Sequence, residues 1–252
     1  MQPFTIIAVY SIDNQMYQPM KSTHILFTAF ILMLGFAVSV QAQDRRKVNV
    51  SGFEGVNLGG SGNVYIKQGS AFSVEFSGSD EVFEEMKFDV RGNTLNIGRK
   101  GNSWWNSSKG RYEIYITMPN INRLGVSGSG NMEVEGTFKT DDLDISVSGS
   151  GEVRFGANAG DVDISVSGSG EVEMTGTGRN LTCHISGSGK VDGRDFKVAN
   201  VDAHISGSGS VYIHASESIE SRISGSGSVY YSGEPKKLNN NSSGSGKIRK
   251  ID

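Results

Sequence analysis

Val147-Ser148-Gly149-Ser150-Gly151-Glu152-Val153 is the stretch whose variants recur down the second half of this 252-residue chain. Its tetrapeptide Ser-Gly-Ser-Gly begins at Ser127, Ser148, Ser167, Ser186, Ser206, Ser224 and Ser243, at spacings of 21, 19, 19, 20, 18 and 19 residues. A fixed period of about 20 residues marks a solenoid, in which no single repeat can bury its own apolar face.

Working outward, apolar residues stand one, three and five places before the first serine: Leu143, Ile145, Val147, then Val162, Ile164, Val166, then Leu181, Cys183, Ile185, then Val201, Ala203, Ile205. Period-two alternation is a strand with one buried face. A second apolar pair follows each corner, as in Val153 with Phe155 and Val172 with Met174. A second short strand is expected there, followed by a short loop such as Gly156-Ala157-Asn158-Ala159-Gly160. The expected fold is all-β: a single-stranded parallel β-helix with coils of about 20 residues, right-handed by the crossover preference, each strand pairing with its counterpart in the next coil. Six steps of about 4.8 Å make a rod of about 29 Å. Each enclosed Val or Ile contributes about 1.5–3 kcal/mol.

The corner glycines read as structural: Gly128, Gly130, Gly149, Gly151, Gly168, Gly170, Gly187, Gly189, Gly207, Gly209, Gly225 and Gly227. They reach positive φ and let stacked corners approach, while the serine hydroxyls are expected to bond nearby backbone. A phosphate-cradling loop is excluded, because no Lys-Ser or Lys-Thr pair closes the stretch and no helical pattern follows it.

Ahead of the repeats, residues 1–19 show no signal layout and read as an upstream extension, with Met20 the better start. Lys21, an apolar run from Ile25 to Val38, and Val40-Gln41-Ala42 then read as a signal peptide over 20–42, cleaved after Ala42. The run is too short to be preferred as a membrane anchor, so no span is expected in the mature chain, Gln43 to Asp252. The removed part carries one base, Lys21, and one acid, Asp13, so the mature chain keeps the net charge of −3. The small basic cluster of Lys247, Arg249 and Lys250 makes no stripe and does not argue for nucleic acid. The lone cysteine, Cys183, falls in the middle apolar column and reads as a buried core residue. It leaves no intramolecular disulfide, no thiolate metal cluster and no lipidation at the cleavage point.

Residues 43–123 read as an N-terminal β region, with strand patterns at 48–50, 53–58, 64–66 and 72–76. Ser79 reads as the N-cap of one short helix holding Val82, Phe83 and Met86 at helical spacing. A hairpin follows, 88–90 with 95–97 about Arg91-Gly92-Asn93, then a strand from Tyr112 to Met118. Gly59-Gly60-Ser61-Gly62-Asn63-Val64 is a looser copy of the corner, so stacking is expected to begin before residue 60. Residues 124–252 read as the regular coils. The last coil places Asn240 and Ser242 at apolar positions and ends in lysine and arginine, the composition of a cap that blunts an open sheet edge.

Taken together, Gly60-Ser61-Gly62-Asn63-Val64-Tyr65-Ile66, the strand, helix and hairpin of 72–97, Tyr115-Ile116-Thr117-Met118-Pro119 and Val126-Ser127-Gly128-Ser129-Gly130-Asn131-Met132 resemble a known family. It is the bacterial family called the putative autotransporter adhesin head (GIN) domain, and the resemblance covers about residues 46–250. It implies a β-helical exported domain of Bacteroidetes-like Gram-negative bacteria, with no family active site to carry over. No translocator barrel is read in these residues.

Two candidate sites stand out. In the outward columns, His184 and His204 are expected about 5 Å apart, with Asp163 and Asp202 one strand position away. Imidazole with carboxylate is divalent-metal chemistry, set against a plain solvated polar face. Trp104-Trp105, in the polar stretch between Gly98 and Gly110, can stack on sugar rings, anchor a partner, or fold back over the core. Calcium-binding β-rolls need aspartate in each glycine turn, where this chain has serine. Short connections leave no deep cleft with convergent carboxylates, so no catalytic residue and no cofactor are expected.

The reading is an exported, non-catalytic, adhesin-like module that binds an extended glycan or protein on a flat polar wall. The alternatives are a self-associating envelope protein, hence a homo-oligomer, and a polysaccharide-acting enzyme.

Overall fold

Stacked corners organise the chain in the computed structural model, which describes residues 45–101 and 110–251. The segment expected to be a signal peptide and Trp104-Trp105 lie outside the described residues. The chain enters through β1 (Arg46–Lys47) and forms its first coil from β2 (Gly55–Gly60) and β3 (Asn63–Gln68), joined by Ser61-Gly62. Then come β4 (Ser73–Ser77), α1 (Asp80–Glu85), β5 (Met86–Arg91), β6 (Thr94–Arg99) and β7 (Glu113–Met118). Regular coils follow as β8 (Arg123–Gly128), β9 (Asn131–Gly149), β10 (Glu152–Gly168), β11 (Glu171–Gly187), β12 (Lys190–Gly207) and β13 (Ser210–Gly225). The last turn is β14 (Ser228–Ser232), β15 (Lys237–Gly244) and β16 (Lys247–Lys250). These described elements belong to one compact unit, Gln43–Asp252.

The coils pair in parallel and in register. Val162 lies on Leu181, Ile164 on Cys183, Val166 on Ile185 and Gly168 on Gly187. Val153, Val172, Val191, Val211 and Val229 form another inward column and are fully buried. Cys183 has no exposed surface, as expected of its column, and burial pushes its thiol up to about 12. The middle column narrows along the axis, from Ile145 and Ile164 through Cys183 and Ala203 to Ser221 and Asn240.

Each corner needs both of its glycines. Gly168 has φ +112°, and a Cβ there would lie 2.5 Å from the Gly149 carbonyl oxygen. At Gly170 a Cβ would meet Val147 Cγ1 at 2.4 Å. The corner is tied by backbone alone, with Ser169 N donating to Gly149 O at 2.8 Å and Glu171 N to Gly151 O at 3.0 Å. This corrects the expectation for the serines. The backbone partners are already used, and Ser148, Ser167, Ser186, Ser206 and Ser224 make no side-chain hydrogen bond among the described residues.

A second correction concerns the loop expected over 156–160. Gly156, Ala157 and Asn158 are themselves laddered, on Thr175, Gly176 and Thr177, so β10 runs through bends without a break. The glycines permit this, since a Cβ on Gly160 would lie 2.5 Å from Asp141 O.

Stacking does begin before residue 60. Gly60 sits on Gly128, and Ser129 N donates to Gly60 O at 3.0 Å. Spatial order departs from chain order here: β2 lies between β6 and β8, and β3 between β7 and β9. β1 and the residues between β3 and β8 add the antiparallel pairs of the N-terminal end, β4 with β7, β1 with β4 and β5 with β6. Ser79 caps α1, accepting from Val82 N at 3.4 Å; Met86, expected inside the helix, instead opens β5. The hairpin turn has Gly92 at φ 53° and Asn93 at φ 59°, the pair of positive values that a two-residue turn of matching twist requires.

Candidate functional site

Because strand side chains alternate, each position before the corner repeats as a column of outward residues along the axis. One column runs Asn57, Gly125, Ser146, Ser165, His184, His204, Arg222, Asn241. The next, nearer the corner, is all serine from Ser127 to Ser243. The column on the other side reads Arg123, Asp144, Asp163, Thr182, Asp202, Glu220, Asn239.

The expected wall is not flat. A cavity of about 580 Å³ runs along both of the first two columns, from Ser146 and Ser148 to Asn241 and Ser243. A second, of about 900 Å³, lies against the β5–β6 hairpin, Asn57, Arg123 and Gly125. Both are lined by Ser146 and Ser165, so they form one axial trough. Its depth comes from small residues, Gly125, Ser146 and Ser165, set between the hairpin and the bulkier His184, His204 and Arg222. No carboxylate lines the part from Ser146 to Ser243.

At the histidine end, His184 and His204 meet edge to face with ring centroids 4.8 Å apart. His204 Nε2 is 3.0 Å from Asp202 Oδ1. The Arg222 guanidinium reaches His204 Nε2 and Glu220, and lies 3.4 Å from Asp202 Oδ1. At the hairpin end, Arg123 Nε donates to Asp144 Oδ2 at 3.1 Å and its Nη1 to Thr94 Oγ1 at 3.5 Å.

Of the four candidate metal ligands, His204 and Asp202 share the Arg222 guanidinium and His184 meets the edge of the His204 ring, while Asp163 lies in the next column between Asp144 and Thr182. Among the described residues no group of three or more histidine, cysteine or carboxylate side chains is placed to hold a metal ion. A second aromatic feature escaped the sequence reading. Tyr212 and Tyr230 stack at 4.7 Å, and Tyr65 and Tyr115 at 5.3 Å, on the wall that follows the corner. The signal was their shared offset after the corner, in Ser210-Val211-Tyr212, Ser228-Val229-Tyr230 and Asn63-Val64-Tyr65. Their faces are occupied by each other, by Arg194 over Tyr212 at 4.7 Å and by Arg45 over Tyr115 at 3.6 Å. The bond from Tyr115 to the Glu113 carboxylate, 2.5 Å long, and then burial hold that phenol above its ordinary range.

The family model described as "Putative auto-transporter adhesin, head GIN domain" matches residues 52–235. The chain belongs to this family. A putative adhesin of Bacteroides fragilis has a crystal structure similar to this GIN domain, at 27% identity and TM-score 0.75, covering 82% of this chain and 96% of that one. Two further crystal structures share its fold. A putative lipid binding protein of Parabacteroides distasonis matches at 22% identity and TM-score 0.66, covering 83% of this chain and 96% of its own. A putative adhesin of Parabacteroides merdae matches at 17% and 0.64, with the same coverage. No curated protein matches the GIN-domain chain in sequence.

Proposed function

We propose that this GIN domain is an exported, non-catalytic adhesion module that holds an extended glycan along the axial trough. The observation that carries the reading is the trough itself, with its floor of serine hydroxyls that have no partner among the described residues. Membership in a family of adhesins supports both attachment and export.

A glycan suits this surface better than a peptide. Extended peptides are recognised largely through main-chain hydrogen bonds at a sheet edge. Here every strand under the trough is paired on both sides, from β8 to β13, so the ligand meets side chains only. Serine, asparagine and histidine both donate and accept, which matches a polyhydroxylated chain.

The test is a glycan array probed with the mature chain, Gln43 to Asp252, beside a Ser146→Tyr/Ser165→Tyr variant that fills the trough and a Trp104→Ala/Trp105→Ala variant. Loss of binding by at least about tenfold in the trough variant, at unchanged melting temperature, supports the reading. Loss only in the tryptophan variant moves the site to residues 102–109, and no binding by the unaltered chain sinks the glycan reading.

A further inference from the structure

We infer that the glycan is acidic, a sugar chain bearing carboxylate or sulfate groups that are read by two arginines at separate points of the trough. The inference rests on the trough being the binding surface and adds the charge of its ligand.

The charge of the lining differs from that of the chain. Five lysine and arginine side chains line the two cavities against two carboxylates, Asp89 and Asp144, on a chain of net charge −3. Three of those cations belong to the hairpin. The other two, Arg123 and Arg222, stand in columns of the sheet itself, five rungs apart through Asp144, Asp163, Thr182 and Asp202. At about 4.8 Å per rung their separation is about 24 Å along the axis.

Both arginines can accept a new anion. Arg123 and Asp144 are each 52% exposed, and Arg222 and Glu220 are 49% and 47% exposed. Ion pairs so open to water hold weakly and exchange partners readily. Arg123 leaves its Nη2 without a partner among the described residues, and a planar guanidinium meets carboxylate or sulfate oxygens with two parallel bonds. Between the two arginines the floor offers serine hydroxyls to the sugar hydroxyls.

Of the carboxylates beside the trough, Asp144, Asp202 and Glu220 pair with the two arginines, and one without such a pair opposes the ligand. Asp163 lies between Asp144 and Thr182 in the column beside the trough and has no ion pair or hydrogen bond among the described residues. Its charge repels an anionic chain lying between the arginines, so neutralising it improves binding. At about 7 Å in a water-like dielectric the gain is about threefold.

Titration calorimetry at fixed salt separates the possibilities, using oligogalacturonates as the carboxylate probe, chondroitin sulfate oligosaccharides as the sulfate probe and xylo-oligosaccharides as the neutral probe. We expect acidic chains long enough to span both arginines to bind more tightly than the neutral probe, and acidic disaccharides to bind at least about tenfold more weakly. Arg123→Gln and Arg222→Gln should each weaken the acidic ligand about tenfold, and Asp163→Asn should tighten it. Lys237→Gln/Lys247→Gln/Arg249→Gln, at the far C-terminal edge, should change nothing; a loss there marks general polyanion adsorption and overturns the inference. Neutral chains bound as tightly as acidic ones overturn it too while leaving the glycan surface standing. If no probe of any charge binds, the surface reading fails with it.

Discussion

Ser221 Oγ donates to Asn240 Oδ1 at 2.7 Å inside the column that Ile145, Ile164, Cys183 and Ala203 fill in earlier coils. Ser221 is 1% exposed, whereas Asn240 faces solvent on the terminal coil. The middle inward column therefore ends in a hydrogen bond, while the column beside it ends in the exposed Leu238. Ser221→Ala should lower the unfolding free energy by about 1 kcal/mol in urea titrations. Asn240→Leu/Ser242→Val should leave the fold intact and make sedimentation velocity concentration-dependent, because an unpaired edge then carries an apolar face.

The corners make a paired prediction. Gly168→Ala combines a left-handed backbone with a methyl 2.5 Å from Gly149 O, whereas Gly136, at φ +72°, has nothing within 4 Å of the added atom. Gly136→Ala should cost about 1–2 kcal/mol and Gly168→Ala about 3 kcal/mol or more, read from denaturation midpoints. Equal costs would mean that stacking contributes nothing to the glycine requirement.

Cys183 gives a pH signature. Its thiol is raised to about 12 by burial, against about 8.5 in the unfolded chain. Between those values the unfolded state releases a proton that the folded state keeps. Stability from this group is thus complete below about pH 8.5 and falls toward pH 12, by about 1.4 kcal/mol per pH unit. The difference in stability between the unaltered chain and Cys183→Ala, measured from pH 7 to pH 10, should show that slope above a constant offset.

The bends of β10 to β13 share a polar ladder, Asp161, Asn180, Asn200 and Ser218. Asn200 Nδ2 donates to Asn180 Oδ1 at 2.9 Å, and Ser218 Oγ donates to Asn200 Oδ1 at 2.7 Å. Asn200→Ala removes both bonds from a half-buried position and should cost about 2 kcal/mol by thermal melting. Lys197→Ala, on the same strand but exposed, should change the melt little.

Corners, inward columns and the N-terminal hairpin were legible because each rests on local spacing: two residues for a strand face, 18–21 for a coil, Gly92-Asn93 for a tight turn. The laddered bend at 156–160 was not, since Gly-Ala-Asn-Ala-Gly shows no alternation and its pairing depends on the coil beneath. The insertion of β2 and β3 between elements distant in the chain leaves no periodic trace either. Most of the trough was hidden for the same reason. His184, His204 and Asp202 were found as neighbours in columns, but the hollow beside them exists only once Gly125, Ser146 and Ser165 are laid against the hairpin.

In-register stacking has one more consequence, commensurability. Serine hydroxyls recur once per coil at about 4.8 Å, on backbone too rigidly laddered to stretch. A bound polymer whose own repeat differs by about 0.4 Å slips by about 2 Å over five rungs, enough to break hydrogen-bond geometry. On the glycan reading proposed above, the surface would act as a vernier, selecting a chain by its pitch before any single contact tests its chemistry.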